Sequence, residues 1–253
     1  MSRNVRIKVA YDGSRFFGWQ RQDGFESVQG AIEGALLEVT GQELTVRGSG
    51  RTDTGVHALA QVAHFHIDTH LTDNRLWHAV NAHLPEAVTV TALKTARPDF
   101  HAQKTAIGKR YGYLIETTRF PSPFLRERAC FVRGDLDLGR MRRGARHFVG
   151  EHDFTSLASA GSVRASNVRR VFGVHVVERK TGLAVVVGGS GFLYNMVRTM
   201  AGTLIQVGRG RMEPDAVADV LVGRDRKLAG PTAPAAGLYM LSVRYPWVLD
   251  WSS

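Results

Sequence analysis

The chain has 253 residues, enough for one large domain or two small ones, and its 43% hydrophobic and 22% charged residues are ordinary for a globular protein. Its single cysteine, Cys130, excludes an intramolecular disulfide, and no apolar window approaches the length of a membrane span. The net charge of +10 favours a polyanionic partner, either a nucleic acid or an anionic membrane surface. Because the N-terminus has no apolar signal region, we expect a cytoplasmic protein.

Hydrophobic spacing in the first half predicts the order β-α-β-β-α-β. The predicted strands cover residues 5–9, 43–47, 61–67 and 88–93, and the predicted helices cover residues 28–39 and 73–84. Ser27 is expected to begin the first helix and Gly41 to end it, whereas Pro85 ends the second.

The second half repeats this order with longer elements. Strands are predicted at residues 110–115, 168–177, 183–187 and 238–243, and helices at residues 138–148 and 192–207, with a further helix starting at Pro214. The sequence therefore predicts an α+β fold of two tandem ferredoxin-like (RRM-like) β-α-β-β-α-β units, with mainly antiparallel sheets and a cleft between them. We place the domains at residues 1–105 and 106–253. An open sheet face beside basic loops is a usual site for RNA.

One acidic residue, Asp53, lies in a glycine-rich loop, Gly-Ser-Gly-Arg-Thr-Asp-Thr-Gly-Val-His, at residues 48–57. Glycine lets the backbone turn sharply and lets a bulky ligand approach closely. Asp53 is therefore a candidate for chemistry on an anionic substrate. The alternative is that it only caps a short helix at residues 56–59, and the loop alone slightly favours this alternative.

Other kinds of site find little support in the sequence. The ten histidines form no zinc-binding spacing, no glycine-rich stretch ends as a P-loop does, and no nucleophile elbow is present. The arginine-rich segment at residues 140–146 can contact RNA or face solvent.

A cation and two aromatic residues are candidate partners for Asp53. Arg198, on the helix predicted at residues 192–207, can keep a carboxylate ionised or can lie along the edge of a buried helix. Tyr111 and Tyr113 share one face of a predicted strand, and this arrangement suits either base stacking or an ordinary sheet core.

Seven segments, in their order along the chain, resemble the tRNA pseudouridine synthase A family. They are residues 11–22, 50–58, 100–102, 109–113, 150–156, 191–198 and 230–238, and they span nearly the whole sequence. The first reads Tyr-Asp-Gly-Ser-Arg-Phe-Phe-Gly-Trp-Gln-Arg-Gln, similar to the amino-terminal signature of the family, and the second resembles its catalytic loop.

The resemblance implies a role for each matching residue. Asp53 corresponds to the catalytic aspartate of the family, Arg198 to the arginine that pairs with it, and Tyr111 to the tyrosine that stacks near the target base. Leu238 resembles the apolar residue on the floor of the uridine pocket, and Arg51 would influence entry of the base or contact a nearby phosphate.

Two basic residues beside Tyr111, Lys109 and Arg110, are expected to bind substrate in the same site. The family often has a basic residue after Phe-His-Ala, where this chain has Gln103, so one RNA contact differs from the family pattern.

The reaction implied by the resemblance is the isomerisation of uridine to pseudouridine at positions 38, 39 and 40 in the anticodon stem-loop of tRNA, by a homodimer. It gains and loses no atoms, so we expect no cofactor and no metal ion. A non-catalytic RNA-binding protein on the same scaffold is the alternative. A metal-free hydrolase is a third hypothesis, but it usually needs two carboxylates, and Asp12 is a weak second candidate.

Overall fold

The structure, a computed structural model, describes residues 2–159, 166–246 and 249. The fold is α+β with mostly antiparallel strand pairing, as predicted. The chain divides into two compact units, one formed by Met1–Ile107 with Tyr239–Ser253 and the other by Gly108–Leu238. The prediction of two ferredoxin-like units is finer than this description and stays a prediction.

The first unit is built on a sheet with two helices. Its elements are β1 (Arg3–Tyr11), α1 (Val28–Thr40), β2 (Arg47–Gly48), β3 (His57–Ile67), α2 (Asp73–His83) and β4 (Val88–Thr95). The strands lie in the order β4-β1-β3-β2, and all of these pairs are antiparallel. Helix α1 begins where Ser27 accepts a hydrogen bond from the Gly30 amide, and it ends at Gly41 in a left-handed conformation, as the sequence indicates.

Strand β1 is buried on both faces rather than on one. Val5, Ile7 and Val9 lie in the core, but Asn4 and Arg6 on the opposite face are also buried. Asn4 donates hydrogen bonds to carbonyl groups of the segment after β4, and Arg6 donates to the carbonyl of Leu249. These polar side chains are tolerated in the interior because they have hydrogen-bond partners there.

The main strands of the second unit pair antiparallel in the order β5-β9-β8-β7. Its elements are β5 (Gly108–Glu116), β6 (Cys130–Phe131), α3 (Leu138–Arg146), β7 (Gly150–Asp153), β8 (Val168–Arg179), β9 (Gly182–Gly189), α4 (Met196–Gly208) and α5 (Ala216–Gly223). The short strand β6 pairs with β5 in parallel. Cys130, at the start of β6, is buried, as its apolar neighbours predict.

The last strand, β10 (Leu238–Arg244), changes the domain assignment. The sequence places residues 106–253 in one domain, whereas the segment from Tyr239 groups with the first unit. The reason is long-range pairing, since Tyr239 and Met240 lie parallel to His57 and Ala58 at the start of β3. Only Leu238 of this strand belongs to the second unit.

Helices α1 and α4 have 13 residues each. Within the described ranges, no helix is long and apolar enough to cross a membrane.

Candidate active site

Asp53 lies half-buried in the loop that joins β2 to β3. The helix that it would cap does not form, because β3 begins at His57 and Ala58 pairs with Tyr11 of β1. The capping interpretation is therefore wrong. The Val56 amide donates to the Asp53 carbonyl at 3.1 Å, and Gly55 adopts φ +77° within this turn, a conformation that favours glycine.

One end of the loop is fixed to β3 by hydrogen bonds. The Ser49 amide donates to the Val62 carbonyl at 2.7 Å, and its hydroxyl donates to Gln61 Oε1 at 2.5 Å. Gln61 Nε2 in turn donates to the Gly50 carbonyl at 2.8 Å. Ser49 and Gln61 are both fully buried, so these polar groups are held away from water and tie the loop to the sheet.

The segment at residues 11–22 binds the loop at Thr52, the residue before Asp53. The Trp19 amide donates to the Thr52 carbonyl at 3.0 Å, and the Tyr11 hydroxyl lies 2.7 Å from Thr52 Oγ1. Burial raises the pKa of Tyr11 well above its usual range, so the hydroxyl keeps its proton. Thr52 is thus bound through both its carbonyl and its hydroxyl, directly before Asp53.

Two positions of this site, 18 and 48, are occupied by glycine because neighbouring atoms lie too close for a side chain. A Cβ at Gly48 would lie 2.6 Å from the Trp19 ring, and a Cβ at Gly18, whose φ is +92°, would lie 2.7 Å from the Thr52 carbonyl oxygen. Neither position has room for a side chain. The loop and the segment at residues 11–22 therefore form one packed structure.

A buried histidine closes the loop where β3 begins. The Gly13 amide donates to His57 Nδ1 at 3.1 Å, and Asp12 Oδ1 lies 3.2 Å from the same nitrogen. The His57 ring stacks on Tyr239, with centroids 4.6 Å apart. His57 is therefore held by polar contacts on one side of the ring and by aromatic stacking on its face.

Arg198, in the first turn of α4, is held in place by two hydrogen bonds. Its Nε donates to the Ala233 carbonyl and its Nη1 to Asn195 Oδ1, each at 2.8 Å. Asn195 adopts φ 61°, in the left-handed region that Asn tolerates better than most residues with a side chain, and its Nδ2 donates to Ser159 Oγ at 2.7 Å. Arg198 is therefore a fixed cation and not a flexible side chain at the helix edge.

Tyr111 and Tyr113 of β5 have different environments. Tyr111 is 8% exposed and meets the Phe192 ring edge-on, with centroids 5.3 Å apart. Tyr113 is fully buried and donates its hydroxyl proton to the Pro234 carbonyl at 2.8 Å. Tyr113 is therefore a core residue, and Tyr111 has a ring neighbour that limits its orientation.

The remaining predicted residues have varied exposure. Leu238 is 6% exposed. Burial lowers the pKa of the half-buried Lys109, whereas Arg110 is exposed. Arg51 is exposed on the same loop as Asp53, and its Nε donates to Gln20 Oε1 at 3.1 Å.

Of the predicted residues, the first unit holds Asp53 and Arg51 on one loop, and the second unit holds the others. Within the second unit, Arg198 and Tyr113 both bind carbonyl groups of the short segment that leads to Leu238. The sequence did not single out the residues that support these side chains. They are Tyr11, Trp19, Thr52, His57, Gln61 and Asn195. The glycines and aromatic residues at positions 11–22 were the available signal for the first two.

Two arginines of the arginine-rich helix α3 form hydrogen bonds within their own unit. Arg140 donates to Glu213 and to the Val207 carbonyl, and Arg142 donates to the Val176 carbonyl. Arg143 and Arg146 are exposed, as are Gln103 and its neighbour Lys104. Among the described residues, no group of three or more His, Cys, Asp or Glu side chains could hold a metal ion.

A family model described as tRNA pseudouridine synthase matches residues 7–103 and 145–246. These ranges contain Asp53, Arg51, Arg198 and Leu238, whereas Tyr111 lies between them. A tRNA pseudouridine synthase A from Ruminiclostridium cellulolyticum is 40% identical over 244 residues, covering 96% of this chain and 100% of that protein. The corresponding protein of Acetivibrio thermocellus is 41% identical over 243 residues, with 96% and 100% coverage.

Among solved structures, a crystal structure of a Cbf5-Nop10-Gar1 complex aligns with this chain at 12% sequence identity and a TM-score of 0.38. The alignment covers 94% of this chain and 58% of that chain, so this protein spans less than two thirds of its length. At this TM-score, the similarity supports no conclusion about the site.

Proposed function

Because this chain belongs to the tRNA pseudouridine synthase family, it is an enzyme that isomerises uridine to pseudouridine in tRNA, and we propose that Asp53 is the carboxylate that performs the reaction. The observation that carries this proposal is the fixed loop. Before Asp53, Gly50 is bound by Gln61, and Thr52 is bound by Trp19 and Tyr11. After Asp53, the His57 ring accepts a hydrogen bond from the Gly13 amide. A carboxylate on such a loop is held in one geometry before substrate arrives, which favours catalysis.

The reaction needs a carboxylate but no added reagent. The N1–C1′ bond of uridine breaks, the uracil turns, and a C5–C1′ bond forms. A carboxylate serves in either of two ways, by adding to C1′ as a nucleophile or by removing a ribose proton to give a glycal. In both routes the C5 proton leaves and N1 gains a proton, so the atoms balance.

The supporting roles follow from the chemistry of each side chain. Arg198 is a fixed guanidinium that keeps the carboxylate ionised and oriented. Tyr111 stacks near the target base and is a candidate for handling its proton. Leu238 lines the floor of the uridine pocket, and Arg51 binds a phosphate beside the target nucleotide. The flipped uridine would thus leave its stack for a site with an apolar and aromatic lining.

The substrate position and the assembly are part of the same proposal. We propose that the target uridines are those at positions 38, 39 and 40 of the anticodon stem-loop, that the scaffold is two tandem ferredoxin-like units, and that the enzyme acts as a homodimer in the cytoplasm. Lys109 and Arg110 contribute positive charge beside Tyr111, where they would contact the RNA backbone.

Replacement of Asp53 tests the proposal directly. Asp53→Asn removes the charge with little change in volume, so pseudouridine formation in unmodified tRNA should fall by at least about 10³-fold. Affinity for tRNA should stay within about threefold of wild type, because phosphate contacts supply most of the binding. Product is measured by the stable derivative that carbodiimide forms with pseudouridine.

Asp23→Asn is the matched control, since Asp23 is exposed and lies outside the loop. This control variant should keep the activity of the wild type. Near-normal product formation by Asp53→Asn would refute the role of Asp53, and mapping of the modified positions in the same assay tests the choice of uridines 38, 39 and 40.

A further inference from the structure

A chain of side-chain hydrogen bonds runs from a buried acid in α1 to Arg51 on the catalytic loop. Glu33, 7% exposed, accepts from Gln29 Nε2 at 2.8 Å. Gln29, 5% exposed, accepts from Gln20 Nε2 at 2.8 Å. Gln20 Oε1 accepts from Arg51 Nε at 3.1 Å. The four side chains thus form one continuous series from the interior to the surface.

The two ends of this series determine the orientation of both amides. An ionised carboxylate only accepts hydrogen bonds, and a guanidinium only donates them. Gln29 must therefore turn its NH₂ group to Glu33 and its oxygen to Gln20. Gln20 must then turn its NH₂ group to Gln29 and its oxygen to Arg51. The reverse orientation of either amide would place two donors or two acceptors against each other.

Further contacts hold the buried end of the series. The Val46 amide donates to Glu33 Oε1 at 2.9 Å, and Arg21 Nη1 lies 3.3 Å from Glu33 Oε2. The Arg21 amide donates to Gln29 Oε1 at 3.1 Å, which fixes the orientation of that amide a second time. Gln20 therefore connects the buried pair Gln29 and Glu33 to the exposed Arg51.

We propose that Gln20 is a positioning residue for the reaction, and that with Gln29 and Glu33 it fixes the direction of the Arg51 guanidinium. The contact uses one of the five N–H donors of Arg51 and leaves four for a phosphate or a base edge. An arginine held in this way loses less conformational entropy when RNA binds. This inference rests on the RNA-binding role proposed above for Arg51.

The test compares two substitutions at Gln20. Gln20→Met keeps a similar length but removes the acceptor, so kcat/KM for tRNA should fall about 5- to 20-fold, mostly through a higher KM. Gln20→Glu keeps an acceptor for Arg51 but loses the donor to Gln29, so its loss of kcat/KM should be clearly smaller than that of Gln20→Met. A purely steric role predicts the same activity for both variants. Thermal melting of each variant verifies that it is folded.

A double-mutant cycle shows whether Gln20 acts through Arg51. Arg51→Met should lower kcat/KM, and adding Gln20→Met to it should change kcat/KM by less than about twofold more. Additive losses, or an unaffected Gln20→Met, would overturn the inference while leaving the role of Arg51 intact. An unaffected Arg51→Met would instead overturn the role of Arg51 and the inference with it. Gln42→Met is the matched control, because the Gln42 side chain bonds to Asp68 rather than to this series, and it should behave as wild type.

Discussion

The buried histidine His64 makes the folded chain sensitive to acid. Burial, and then the positive charge of His101, lowers the pKa of His64 from 6.5 to about 4. Its Nδ1 accepts a hydrogen bond from the Ala102 amide at 3.2 Å, a bond that only the neutral ring makes this way. A hydrogen bond to the Arg47 backbone acts against this lowering of the pKa, and the charges of His66 and Arg47 add to it to a smaller extent.

Stability should therefore fall as the pH drops from about 6.5 to about 4. In this window the unfolded chain binds a proton at His64 and the folded chain does not, so protonation favours unfolding. The loss should be up to about 3 kcal/mol at the acid end. Urea unfolding at several pH values measures it, and His64→Gln should show a weaker pH dependence than wild type. Replacing the exposed His83 by Gln should not alter that dependence, and an equal change in both variants would contradict the assignment.

At single residues, the sequence predicted candidate groups for the chemistry but not the groups that hold them. Asp53 is noticeable as a charged residue in a glycine-rich loop, and Arg198 as a charged residue beside the apolar positions of a predicted helix. The supports, such as the Thr52 contact of Tyr11 and the left-handed turn of Asn195, join positions far apart or depend on backbone angles. No local pattern encodes such contacts, although the family resemblance marks several of the segments that contain them.

Helix α4 illustrates how an element supports the site through close packing. A Cβ at Gly202 would overlap the Pro231 carbonyl oxygen, and a Cβ at Gly230 would lie 2.6 Å from the Thr203 Cα. The segment at residues 230–233 packs against the helix at these contacts. It ends at Ala233, whose carbonyl accepts a hydrogen bond from Arg198. The position of Arg198 therefore depends on a glycine one turn further along its own helix.

Gly202→Ala should destabilise the protein by about 1–3 kcal/mol, because the segment must move away from the helix. It should also lower kcat, since the carbonyl that binds Arg198 moves with the segment. The matched control is Gly34→Ala in α1, where a Cβ has nothing within 4 Å. That change should stabilise the helix by about 0.5–1 kcal/mol. Thermal unfolding of both variants measures the difference, and equal effects would contradict the packing explanation.

Regular elements were predictable where periodicity is long, and their ends were predictable only where a capping residue marks them. Helix α1 was expected at residues 28–39 and forms over Val28–Thr40, but α4 begins at Met196 rather than at residue 192. The apolar residues of positions 192 and 193 fit a helical pattern, yet the left-handed Asn195 starts the helix later. The strand expected at residues 43–47 is reduced to Arg47 and Gly48, and the short strands β6 and β7 were not predicted.

At the scale of the whole molecule, the order of elements was predictable in the first half, whereas the strands β6 and β7 and the grouping of the last strand were not. The change from one unit to the next at Ile107 lies close to the expected boundary at residue 105, yet the last strand returns to the first unit. Its pairing with β3 joins residues about 180 positions apart, and such contacts leave no periodic signal. The sequence pattern of β10 predicts a strand but does not indicate that this strand pairs with β3.

The net charge of +10 belongs to the whole molecule, and it leads to a prediction about binding. Affinity for tRNA should fall steeply with salt, because each phosphate contact releases counterions. With about four such contacts, the Kd should weaken by about 10²-fold between 50 and 200 mM salt. Filter binding with Asp53→Asn measures this without turnover, and a salt-independent Kd would contradict it.

Arg143→Gln then tests α3, because Arg143 is exposed, and loss of a phosphate contact at this position would lower the salt slope by about 1.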